Sequence, residues 1–253
     1  MMMNKNFKRY HILDSIRGIT IISMILYHLV WDLVYIFQKD FPWFMSKSAY
    51  TWQQSICSCF IFLSGFCFCF GKNKLKRGID VFFWGLIISI VTIVLMPENT
   101  ILFGVLTLLG SSMLIQIPLD KIFKKLNPIL LFIVSIFIFV FTKNINGEVL
   151  GISGIFELNL PHSLYKNLFT AYLGFPPDNL YSADYFPLMP WYFLFLSGYS
   201  MYRLFEKYNL LNKIPNIKIL PLEWLGRNSL TIYILHQPII YFILIVLSEF
   251  KLL

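Results

Sequence analysis

Apolar residues gather along the chain into seven long runs, at 12–37, 52–71, 79–96, 101–119, 126–142, 186–204 and 230–250. A helix rises 1.5 Å per residue, so about 20 residues cross a hydrocarbon core. The runs are continuous and show none of the alternation of a membrane strand, so they predict helices. The expected fold is an all-α polytopic membrane protein, a bundle of about seven transmembrane helices in one domain over 1–253. The first run is too long for a cleavable leader, carries Arg17, His28 and Asp32, and is followed by no small-residue cleavage site. Among the connections, 143–185 is the longest, with Glu148, Glu157, Asp178 and Asp184 against Lys143 and Lys166. Its apolar stretch at 164–175 predicts a short loop helix over the bundle. Residues 207–223 form a basic, proline-containing loop.

Composition agrees with this pattern. Of 253 residues, 57% are hydrophobic and only 13% charged, against about a quarter charged in soluble domains. A soluble enzyme, a disordered tail and a disulfide-stapled secreted module are excluded. Basic residues are distributed unevenly. With the N-terminus inside, the inner segments hold Lys5, Lys8, Arg9, Lys72, Lys74, Lys76, Arg77, Lys121, Lys124, Lys125, Arg203, Lys207, Lys213, Lys218 and Arg227, and the outer ones only Lys39, Lys47, Lys143, Lys166 and Lys251. Fifteen against five fits seven spans with a cytoplasmic N-terminus, a multi-pass protein of the cell membrane with 143–185 outside. The net charge of +8 thus reports orientation and contact with anionic lipid, and no nucleic-acid site is read from it.

The first run places its ionisable groups on one face. At 100° per residue, Asp14, Arg17, Ile21, His28 and Asp32 fall within about 60° of one another, so this face looks into the bundle or a wet cavity. Ionisable groups within a membrane are costly and mark functional sites by default. Asp32 follows His28 by one turn, placed to orient an imidazole that exchanges protons near neutral pH. Three readings stay open for this stripe: helix-to-helix hydrogen bonding, catalysis, and the proton relay of a transporter or flippase.

The string LDSIRGITIISMILYH (13–28), with Arg17 and His28, resembles the opening motif of transmembrane acyltransferases of the acyltransferase-three type, and FIFLSGF (60–66) their second-helix motif. A closer resemblance is to short bacterial members of the heparan-α-glucosaminide N-acetyltransferase catalytic-domain family. It is carried in order by KRGIDVF (76–82), FGVLTLLG (103–110), YSADYFPLMPW (181–191) and GRNSLTIYILHQP (226–238). The resemblance implies an enzyme that moves an acetyl or short acyl group from cytoplasmic acetyl-CoA to an extracytoplasmic glycan, glycolipid or small-molecule acceptor, without a metal. It implies His28 as catalytic histidine, with Asp32 beside it, and Arg17 toward the donor. Lys74 and Arg77 match a basic pair expected to hold the donor's phosphates, Arg77 foremost because a guanidinium binds phosphate bidentately. Asn228 and His236 would line the donor channel, the latter beside Tyr233 and Gln237 on one helix face. Asp184 and Trp191 would contact the acceptor. Relatives often carry histidine where this chain has Thr107, a hydroxyl that cannot shuttle protons near pH 7, which keeps a catalytically silent membrane partner protein in view. With fewer spans than larger relatives, the chain is a candidate homodimer. The pairs Cys57/Cys59 and Cys67/Cys69 point about 200° apart on a helix and cannot each hold one ion.

Overall fold

The structure, a computed structural model, describes residues 9–253; Lys5 and Lys8, counted above on the inner side, lie outside the described residues. In chain order its helices are α1 (His11–Tyr35), α2 (Lys47–Cys67), α3 (Lys74–Leu95), α4 (Val105–Phe123), α5 (Pro128–Phe141), α6 (Leu168–Leu173), α7 (Leu188–Lys207), α8 (Leu220–Arg227) and α9 (Ser229–Glu249). Strands β1 (Val149–Ile152) and β2 (Phe156–Asn159) pair antiparallel, Val149 opposite Asn159 and Ile152 opposite Phe156. The all-α polytopic expectation holds. Among the described residues six helices, α1 to α5 and α9, are long and apolar enough to cross a membrane, against the seven runs read from the sequence. The remaining run, 186–204, does form a helix, the 20-residue α7, but Ser197, Ser200, Arg203, Glu206 and three tyrosines keep it below that apolarity. Most of α7 from Pro190 to Ser200 is buried; a helix surface that meets protein and not lipid has no need to be apolar.

The described chain divides into two compact units, residues 9–60 with 212–253, and residues 61–211. In the first, α1 packs against α8 and α9. The contact of α1 with α8 is backbone on backbone: a Cβ at Gly18 would stand 2.1 Å from the Leu222 carbonyl oxygen, and one at Gly226 only 1.9 Å from that of Asp14. Only glycine permits this approach. Ion pairs tie the same region, Arg9 to Asp14 at 2.8 Å, His11 to Glu223 at 2.7 Å and Arg227 to Glu223 at 2.8 Å. The His11 hydrogen bond holds the Glu223 carboxyl below its usual range. Further along, Ile21, Met24 and Ile56 form a small core, with Trp52 and Ile232 packed against it. The opposite side of α1 exposes Ile16, Ile19, Ile22 and Leu26. The polar stripe therefore turns inward and the isoleucines turn to lipid.

In the second unit α3 packs on α4, and α7 lies against both α4 and α5. The buried positions of α4 include every residue from Val105 to Met113. Asn127 caps α5 by accepting from the Ile129 amide, with Pro128 at the first helical position. The expected loop helix shortens to α6, six residues begun by an Asn167/Thr170 capping box. The hairpin that precedes α6 lies in the same long connection.

Candidate functional site

Within the first unit, α1 and α9 bring four of the chemically capable side chains together. The His28 and His236 rings lie edge to face with centroids 4.7 Å apart. Nδ1 of His28 is 2.9 Å from the Met24 carbonyl, and Nδ1 of His236 is 2.5 Å from that of Tyr233. A carbonyl oxygen only accepts, so each Nδ1 carries the proton and each Nε2 is left as a lone-pair acceptor. The fully buried Asp32 is not bonded to His28, which corrects the expected dyad: its Oδ1 accepts from Nε2 of Gln237 at 2.5 Å. One turn of helix separates Asp32 from His28, but the Met24 carbonyl lies one turn the other way and takes the imidazole first. Asp32 Oδ2, Gln237 Oε1 and His236 Nε2 are buried and have no hydrogen-bond partner. With His28 Nε2, the cluster presents four acceptor atoms, beside the second N–H of the Gln237 amide.

The other expected residues of this unit are placed apart from the cluster. Helix α1 is unbroken from His11 to Tyr35, so the eleven positions from Arg17 to His28 cover about 16 Å. Arg17 is partly exposed and 3.6 Å from Asp14, which also receives Arg9 and Arg227. Asn228 joins α8 to α9, its amide donating to the Trp224 carbonyl at 2.8 Å.

In the second unit, Lys74 stands 3.9 Å from Asp120 and over the Phe68 ring at 4.4 Å, so it is already engaged by a carboxylate. The Arg77 guanidinium lies over Gly71, where a Cβ would come within 3.0 Å of its Nη1. The two residues expected at the acceptor both have packing partners of their own. Asp184 accepts from the Val105 amide at 3.2 Å, so it caps α4, and desolvation pushes its carboxyl up to about 6. Trp191 is 6% exposed and packs on Phe186 and Phe139 at 4.8 and 5.5 Å; it belongs to the core and offers no open face for stacking.

Glu148, His162 and Asp178 place one ligand atom each within 4.8 Å of one another and could hold a metal ion. His162 Nδ1 lies 2.5 Å from Glu148, which raises the pKa of the imidazole above its ordinary value. His11 and His162 find their partners in Glu223 and Glu148, across separations that no periodicity in the sequence connects.

The family model described as heparan-alpha-glucosaminide N-acetyltransferase, catalytic, matches residues 9–238. No curated protein and no solved structure matches the chain. The matched stretch takes in α1 and α9 as far as Pro238, and with them His28, Asp32, His236 and Gln237. On that match the chain belongs to the heparan-α-glucosaminide N-acetyltransferase catalytic-domain family.

Proposed function

We propose that this protein is a membrane acetyltransferase that moves an acetyl group from cytoplasmic acetyl-CoA to a hydroxyl or amine of an extracytoplasmic acceptor, with His28 as general base. Family membership supports the reaction class. The observation that carries the acceptor chemistry is the polarity of the α1/α9 cluster, because a cluster in which acceptor atoms predominate is complemented by a ligand that donates hydrogen bonds, and an alcohol or amine does so. In this reading Nε2 of His28 takes the proton of the hydroxyl or amine as its oxygen or nitrogen bonds to the acetyl carbonyl carbon. As the carbon–sulfur bond breaks, His28 returns that proton to the departing thiolate, so the imidazole ends unchanged. Gln237, fixed by Asp32, offers Oε1 to a second N–H or O–H of the acceptor and orients it. Arg17, toward the inner end of α1, pairs with the phosphates of the donor.

The test is His28→Ala in the purified full-length protein. Acetyl transfer to glycan acceptors, or slow acetyl-CoA hydrolysis, falls at least a hundredfold, while the melting temperature stays within a few degrees. Normal turnover by a folded His28→Ala protein would remove His28 from the mechanism. Absence of any thermal stabilisation of the wild type by millimolar CoA would remove the donor.

A further inference from the structure

The long connection of the second unit holds an element that acetyl transfer does not use, the hairpin of β1 and β2. Its register sorts the side chains by face. Leu150 stands opposite Leu158 and Ile152 opposite Phe156, whereas Gly151 pairs with Glu157 and Val149 with Asn159. Directly opposed residues share a face and successive residues alternate. Leu150, Ile152, Phe156 and Leu158 therefore make one face wholly apolar, and Glu157 and Asn159 lie on the other. Phe156 is 52% exposed, Leu158 50% and Ile155, beside the turn, 81%.

Two contacts fix where the hairpin sits. The Phe156 ring stacks on Phe141 at the end of α5, with centroids 6.4 Å apart and planes 13° apart, and Phe141 stacks in turn on Phe137 at 5.5 Å and 18°. The Asn144 amide donates to Ser153 Oγ at 2.9 Å. A row of rings thus leaves the helix and continues on the hairpin. On α5 the row belongs to a face that exposes Leu130, Ile133, Val134 and Phe137, which with Phe141 fall within about 100° of one another. In a membrane helix such a face meets lipid.

Helix α5 is also short for its task. Its 14 residues rise about 21 Å, against a hydrocarbon core of about 30 Å, and the polar Thr142, Lys143 and Asn144 follow it. The shortfall of about 9 Å matches the depth of about 5–10 Å at which amphipathic elements lie in the boundary of headgroups and acyl chains.

We propose that the β1/β2 hairpin is a membrane anchor, seated in the leaflet at the C-terminal end of α5 with its apolar face on the acyl chains and Glu157 and Asn159 toward water. Lipid is the occupant because the row of rings on the hairpin is continuous with the lipid-facing side of α5. The backbone limits the depth: a two-stranded hairpin leaves the N–H and C=O groups of its outer edges unpaired, and hydrocarbon does not satisfy them, so the hairpin stays at the level of water and headgroups. Lys143, exposed at the end of α5, reaches the lipid phosphates at the same level. The anchor is independent of acetyl transfer.

The experiment reconstitutes the full chain, in a cysteine-free background, in phosphatidylcholine vesicles and places an environment-sensitive NBD label at Leu158→Cys or at Glu157→Cys, neighbours in sequence on opposite faces. Quenching is read with phosphatidylcholine carrying a nitroxide high on one acyl chain, and with iodide present on both sides of the vesicle. The ratio of lipid quenching to iodide quenching is expected to be at least threefold higher at 158 than at 157. A smaller difference overturns the anchor. A label at 158 shielded from both quenchers also overturns it, and assigns the face to a second copy of the chain. If Leu158→Cys does not fold, Ile155→Cys is read against Glu157→Cys by the same threefold criterion.

Discussion

The Met24 carbonyl limits what the His28 imidazole can do. With Nδ1 committed, only Nε2 remains to take a proton, and no carboxylate is hydrogen-bonded to it among the described residues to stabilise the charge that results. In the proposed reaction His28 would therefore act as a base without the usual acid behind it. Asp184 shows the converse case, a carboxyl held by the backbone at the start of a helix. Its folded pKa of about 6 lies above the ordinary 3.9 of an aspartate, so the folded state binds that proton more tightly than the unfolded chain. The stabilisation is complete below the unfolded value and is lost as pH rises through about 6. Asp184→Asn keeps an oxygen for the Val105 amide and removes the titration. At pH 7.5 it should be more stable than the wild type by about 1–2 kcal/mol, with the two proteins converging at pH 4. Thermal unfolding across that range checks this, and a gap that does not close at low pH would mean that the carboxyl is not the cause. The local string YSADYFPLMPW announced an acid beside aromatics. It held no sign that the partner of the acid is an amide 79 positions earlier, nor that Phe139 would close over Trp191.

Among the elements, the long apolar runs were legible because lipid demands one property, sustained apolarity, which a sequence displays directly. The inward face of α1 was legible for a related reason: its polar residues share a 60° sector because lipid excludes them from the rest. The hairpin at 149–159 was not, since four-residue strands in a loop carry no period long enough to read. Nor was α8, whose eight residues are held by what they touch. At Gly226 that contact is a carbonyl oxygen of α1. Gly226→Ala must drive the helices apart, and overpacking of this kind costs about 2 kcal/mol, roughly 4–8 °C for a chain of this size. Thermal unfolding in detergent measures it; an unchanged midpoint would show that α8 does not dock on α1 at this depth.

For the whole molecule, the course of the chain across the bilayer turns on α7. If this helix crosses, residues before and after it face opposite solvents despite its tyrosines, serines and Arg203. In a cysteine-free background, a membrane-impermeant maleimide added to intact cells should label Lys166→Cys, and should label Lys207→Cys only after the cells are opened. Labelling of both from outside would make α7 a helix that does not span and would reverse the side on which the chain ends. The charge bias supports crossing, because Arg203 and Lys207 then join the inner basic set. The polar cluster of the first unit was half legible: His28 and Asp32 stood out as costly, and His236 and Gln237 as sharing a face. Their meeting was not, because Asp32 and Gln237 are 205 positions apart.

That separation has a consequence for biosynthesis. A ribosome adding about 5–20 residues per second leaves the Asp32 carboxyl on the order of ten to forty seconds without its amide, already lodged in lipid as part of the nascent chain. Because Gln237 is made 205 positions after Asp32, a nascent chain that stops short of α9 lacks two of the four clustered side chains, and the bilayer meets the assembled imidazole pair only after α9 emerges.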